Sequence, residues 1–244
     1  MSWALARTVI GIIGNVTSFF LFGSPIKEVA YRICKNKSVE GFQPYPYIGA
    51  TINCIFWVFY GIITPNSTLV ITINSIGLFL QLVYLAIFSY FSKQQRRKIA
   101  LFLLAEAAVT VVIACIALLA IHSKSTRSIL VGVFSVLFGL ILYSSPLTIM
   151  KKVIDTKSVE FMPFWLSVAC FSNGIIWAAY ALIKVPPTMR IDWYILISNG
   201  VGAIFATAQL ILYATYYSST PKSKTSDDPK KPKGSKPEVQ LSEV

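Results

Sequence analysis

Ionisable residues are scarce in this 244-residue chain. Only 13% of it is charged, with ten acids and one histidine, against about 25% charged residues in an average soluble domain. Hydrophobic residues make up 55%. So little polar surface cannot coat a water-soluble particle, and lipid is therefore the solvent for most of the chain. The four cysteines (Cys34, Cys54, Cys115, Cys170) have no CxxC spacing, which speaks for free thiols rather than disulfides or metal ligands. His122 stands alone. No Ser–His or Cys–His set, carboxylate pair or phosphate loop points to an enzyme, and neither a metal nor a cofactor is expected. Alternation with a period of two is also missing, which leaves helices as the spanning element.

What is present is a series of apolar runs, at about 4–22, 46–63, 68–91, 99–121, 128–150, 162–183 and 191–217. Each approaches or exceeds the ~20 residues of a spanning helix. The first lacks the basic start and small-residue cleavage site of a signal peptide. The net charge of +12 is an orientation signal and calls for no nucleic-acid partner. Lys27, Arg32, Lys35 and Lys37 follow the first run, Lys93, Arg96, Arg97 and Lys98 the third, and Lys151, Lys152 and Lys157 the fifth. The opposite side has only Arg7, Lys124, Arg127, Lys184 and Arg190. This asymmetry predicts an exterior N-terminus and a cytosolic C-terminus. Residues 218–244 hold six lysines, four acids and four prolines but only Val239, Leu241 and Val244 as hydrophobic residues, so a disordered tail is expected.

The chain also repeats itself. Lys37-Ser38-Val39-Glu40 recurs as Lys157-Ser158-Val159-Glu160, and Ser24-Pro25 as Ser145-Pro146. Asn53, Trp57 and Tyr60 recur as Asn173, Trp177 and Tyr180, and Asn74 and Gly77 as Asn199 and Gly202. Four collinear matches define a three-helix unit. The predicted architecture is all-α and membrane-integral, with seven spans in a 3+1+3 arrangement. Residues 1–92 form the first repeat, 93–123 a connector and 124–217 the second repeat. The connector restores the sidedness that three helices reverse, so the two repeats are parallel, and transporters built this way bind substrate near the midplane between them. Each Asn–Trp–Tyr set, at i, i+4 and i+7, shares one helix face. Carboxamides match sugar hydroxyls and indoles match sugar C–H faces. Mid-span placement and duplication favour such a site over interfacial anchors and interhelical glue.

Over residues 7–217 the chain resembles the SWEET sugar transporters. Gly14-Asn15, Ser24-Pro25, Lys37 to Glu40, Pro46-Tyr47, Thr72-Ile73-Asn74, Ser145-Pro146-Leu147, Lys157 to Phe164, Asn199-Gly200 and Gln209 carry the likeness. The resemblance implies a bidirectional uniporter for a monosaccharide such as glucose, working by alternating access. A sucrose carrier is the nearest alternative, and a non-transporting scaffold or receptor a more distant one. By the same resemblance, Asn74 and Asn199 hydrogen-bond the sugar between Trp57 and Trp177. Leu21, Leu142, Asn53 and Asn173 set a pocket of hexose size. Pro25, Pro46, Pro146 and Pro163 form the inner hinge, although Pro44 competes with Pro46 on spacing. Tyr60 and Asp192 form the outer gate, with no lysine in the intervening loop Thr64-Pro65-Asn66-Ser67. Glu106 is the one carboxylate well inside a span and sits in the connector, which argues against proton coupling. The expected partners are the sugar and membrane lipid, with homo-oligomerisation open and the plasma membrane favoured over the vacuolar one.

Overall fold

The computed structural model describes residues 2–39, 41–142, 144–186 and 189–220, and only the backbone of Glu28 and Ser144. Nine α-helices account for most of these residues, and no strand occurs among them. They are α1 (Trp3–Gly23), α2 (Arg32–Asn36), α3 (Tyr45–Ile63), α4 (Thr68–Phe91), α5 (Lys93–Cys115), α6 (Lys124–Ile141), α7 (Ser144–Thr156), α8 (Phe164–Leu182) and α9 (Trp193–Tyr216). Seven helical stretches are long and apolar enough to cross a membrane, α5 being extended through Ala120 and α6 with α7 counting as one. Large apolar side chains such as Ile12, Phe20, Phe79, Leu104 and Ile204 face outward, as a lipid solvent requires.

Prolines punctuate the first helix of each unit. The ring of Pro146 removes a hydrogen bond to the carbonyl of Leu142, and α6 ends at Ile141 with Leu142 as its C-cap. At the matching place α1 ends at Gly23, and the chain continues past Pro25 as a wide π turn over Ile26–Tyr31, then α2. The basic stretch after the first span is thus helical rather than a loop. Lys37 and Lys157, which open the repeated Lys-Ser-Val-Glu, both take left-handed backbone (φ 50° and 52°). That conformation ends a helix, so the motif is a stop signal used twice.

Helix α5 starts at Lys93, where the connector is expected to begin and six residues before its apolar run, because the Ser92 hydroxyl accepts from the Gln95 amide at 3.2 Å and caps it. At its other end Arg127 donates to the carbonyls of Ile121 (2.6 Å) and Leu118 (3.2 Å), which the helix end leaves without partners. The connector lies against α3 and α4, with Ile99 in the cluster of Val29, Ile33, Ile48, Leu85 and Phe88. A separate cluster of Val153, Val159 and Met162 packs on Tyr213 and Tyr216. Within the stretch expected as tail, the Thr220 hydroxyl accepts from the Val159 amide at 2.9 Å, while residues 221–244, and Glu40, lie outside the described residues.

The first unit (α1, α3, α4) meets the second (α6, α8, α9) along α1–α8 and α3–α6. Glycine permits the first contact. A Cβ on Gly14 would lie 2.9 Å from the Trp177 ring, and one on Gly11 2.9 Å from the Tyr180 ring. At the second contact the Ser135 hydroxyl donates to the Phe56 carbonyl at 3.1 Å.

Candidate functional site

Between the two units lies a cavity of about 190 Å³, lined by Asn53 and Trp57 of α3, Asn74 of α4, Asn173 and Trp177 of α8, Ser198 and Asn199 of α9, and Leu142 just beyond α6. Seven of the eight residues that the sequence nominated for substrate binding meet here. Leu21 does not; it lines a neighbouring cavity.

Asn74 and Asn199 are held alike. The amide nitrogen of Asn74 donates to the Val70 carbonyl at 2.9 Å, and that of Asn199 to the Ile195 carbonyl at 3.0 Å. Each bond runs one turn back along its own helix. One N–H is thereby used and the carboxamide fixed, while the Oδ1 and the second N–H stay available.

The Asn–Trp pairs of α3 and α8 are not equivalent. The Trp177 indole donates to the Ser18 hydroxyl at 3.0 Å, and Ser18 donates to Asn173 Oδ1 at 2.6 Å, joined by Thr17 at 3.0 Å. This chain of bonds orients Asn173 and Trp177 before any ligand arrives. In the other unit Gly139 occupies the repeat position of Ser18. A Cβ there would lie 2.9 Å from Ser198 Oγ and 3.4 Å from Asn53 Oδ1. Asn53 Oδ1 is consequently buried with no hydrogen-bond partner. Such an orphan costs about 1–3 kcal/mol unless a ligand or water satisfies it.

Two tyrosine latches close the cavity on the face that carries the N-terminus. Tyr60 donates to Asp192 Oδ1 at 2.9 Å, and the same carboxylate caps α9 by accepting from the Ile195 amide at 3.2 Å. Tyr180, the repeat counterpart of Tyr60, donates to the Asn66 carbonyl at 3.0 Å. Asn66 in turn donates to the Pro186 carbonyl at 2.6 Å. Arg7 lies over the Tyr180 ring, 4.3 Å from its centroid, and only 8% of it is exposed. Burial pushes the Asp192 carboxyl above the usual carboxylate range, while the Ile195 amide, the Tyr60 hydroxyl and the Arg7 charge pull it back. Helix α1 thus supplies the cation that the loop Thr64-Pro65-Asn66-Ser67 lacks. Sequence reasoning paired Tyr60 with Asp192 but did not bring Tyr180 and Arg7 to this face. The Tyr60/Tyr180 repeat was the available signal.

Toward the other face a larger cavity of about 310 Å³ adjoins the first at Asn173 and Asn199, which line both. It runs past Leu21, Pro146, Ser167, Cys170 and Gln209 to the exposed Phe161 and Pro163. Of the four nominated hinge prolines, Pro146 and Pro163 border this opening. Pro25 is half-buried beneath the π turn, and Pro46 is exposed in the first turn of α3. Pro44, which is buried, caps α3 as Pro163 caps α8.

Comparison with known proteins places this geometry in context. A family model described as "Sugar efflux transporter for intercellular exchange" matches residues 8–96 and 129–221. The chain is 50% identical over 221 residues to the bidirectional sugar transporter SWEET7b of Oryza sativa subsp. indica, covering 89% of this chain and 80% of that protein. It is 49% identical over 221 residues to the bidirectional sugar transporter SWEET4 of Arabidopsis thaliana, covering 89% and 85% respectively. The solved structure of a eukaryotic SWEET transporter superposes with a TM-score of 0.80 at 32% identity, over 88% of this chain and 99% of that one.

Proposed function

The chain belongs to the SWEET family of sugar transporters, and on that premise we propose that it moves a glucose-like monosaccharide across the membrane, in either direction, by alternating access. It is a membrane transporter and not an enzyme. The observation that carries the substrate reading is the central cavity, where two pinned carboxamides and two indoles from related helices face one another across about 190 Å³. Pockets for drug-sized ligands begin at about 300 Å³, so this space suits one pyranose ring better than two. Asn74 and Asn199 then bind hydroxyls, Trp57 and Trp177 cover the C–H faces, and Asn53 Oδ1 accepts a further hydroxyl. Leu142 limits the length of the sugar.

The basic residues that follow the first, third and fifth spans support an exterior N-terminus. With that orientation the tyrosine latches are the closed outer gate, and the passage past Pro146 and Pro163 is the open cytosolic side. Exchange between the two states bends each unit at its prolines, with Pro25 and Pro146 loosening their helices and Pro163 and Pro44 or Pro46 acting at the starts of α8 and α3. The two three-helix repeats move as units about the central site, with the connector carried on the first. We favour the plasma membrane as its location. Among the described residues no carboxylate lines either cavity, which supports uniport.

Radiolabelled glucose uptake into proteoliposomes of the full chain tests the proposal. Uptake should saturate, be competed by unlabelled glucose better than by sucrose, and keep its initial rate when a pH gradient is collapsed. Sucrose competing as well as glucose would refute the size argument, and a rate that fell with the gradient would refute uniport.

A further inference from the structure

At the place that the larger cavity takes in the second unit, the first unit carries two packed tyrosines. Helices α3 and α8 correspond at a spacing of 120 residues (Asn53 and Asn173), and α4 and α9 at 125 (Asn74 and Asn199). At these spacings Tyr47 corresponds to Ser167, and Tyr84 to Gln209. In the first unit the two tyrosines form a plug. Their ring centroids are 5.2 Å apart, Tyr84 is 2% exposed, and its hydroxyl donates to the Phe22 carbonyl at 2.8 Å. In the second unit a serine and a glutamine leave that volume empty, and both line the resulting cavity of about 310 Å³. The Gln209 carboxamide makes no hydrogen bond with another described residue, so two donors and an acceptor stay free beside the space.

We propose that this hollow is a second, lower-affinity sugar subsite on the cytosolic side of the centre, where a monosaccharide pauses as it enters or leaves. The proposal rests on the transporter reading above. Its volume lies at the lower end of small-molecule sites, and its mostly apolar wall carries a few polar groups, as such sites do. Gln209 meets the sugar hydroxyls there, Ser167 supplies a further hydroxyl, and Phe205 offers an apolar face. Asn199 lines both cavities, so it can hold the sugar while the ring passes from one to the other. The first unit, plugged by Tyr47 and Tyr84, offers no such stop. The transport path is therefore two-fold at the centre and one-sided below it.

Cys170 lines this cavity and is partly exposed, whereas Cys54 is buried and Cys34 and Cys115 are exposed elsewhere. The test uses the purified full chain with Cys34→Ser and Cys115→Ser, reading N-ethylmaleimide modification of Cys170 with and without glucose. Asn74→Ala is added to disable the central site. Glucose should still slow the reaction, by at least about threefold, and Gln209→Leu should abolish that protection. Loss of protection with Asn74→Ala alone, or protection that survives Gln209→Leu, overturns the subsite and leaves the transporter reading intact. Failure of the parent chain to transport glucose in proteoliposomes overturns the transporter reading instead. If Cys170 does not react, Leu166→Cys in a Cys170→Ser chain gives the same readout from the same wall.

Discussion

Single side chains decide how the pocket meets a sugar. Ser18 holds both Asn173 and Trp177, so its effect on substrate is indirect, through residues it positions. Ser18→Ala should leave the fold intact and raise the glucose KM several-fold, because a fixed carboxamide loses less freedom on binding than a loose one. An unchanged KM in proteoliposome uptake would remove Ser18 from the account. Leu142 and Asn53 line the central cavity and Leu21 does not, so we propose that the first two set the size limit. Asn53→Ser with Leu142→Val should therefore raise the ratio of sucrose to glucose uptake, and Leu21→Val alone should not. Equal ratios for all three chains would show that another wall sets the size limit.

At the scale of elements, the latches tie the α3 and α8 ends to the opposite unit. A hydrogen bond to a charged group contributes about 1.5–3 kcal/mol, and a neutral one about 1 kcal/mol. Tyr60→Phe together with Tyr180→Phe should thus shift the population toward the outward-open state by tenfold or more. Val70, buried beneath the latches on the wall of the central cavity, is the reporter. With Val70→Cys, a membrane-impermeant maleimide added from outside should react about tenfold faster in the double-Phe chain, whereas an unaltered rate would mean that the latches do not gate. Much of this layer was legible in the sequence. The spans, the duplication and the Asn–Trp–Tyr faces follow from hydropathy and spacing, which record local periodicity. The burial of Arg7 does not, because its partner, the Tyr180 ring, lies 173 residues away in the chain and meets it only when α1 packs on α8. Nor did the apolar run over 128–150 show that α6 ends at Ile141, although the nominated hinge Pro146 was the available clue. Sequence reasoning prefers Pro46 to Pro44, two residues away, as the hinge, and the start of α3 gives Pro44 the N-cap place.

For the molecule as a whole, duplication gives the cavity its symmetry, and a few departures from it give the cavity direction. Asn74 and Asn199 keep the two-fold relation. Ser18 against Gly139 and Tyr84 against Gln209 break it. The apolar excess lets this body sit in the bilayer, and in the proposed orientation the basic residues set which way round it sits. Everything proposed about transport depends on the paired carboxamides at the centre. The most direct measurement is glucose counterflow in proteoliposomes, comparing the parent chain with Asn74→Ala/Asn199→Ala. Each lost carboxamide forfeits about 1–1.5 kcal/mol of hydrogen bonding, and 1.4 kcal/mol is a factor of ten. The double variant, correctly folded by its melting profile, should exchange glucose at least about tenfold more slowly. Counterflow at the parental rate would contradict the account at its centre.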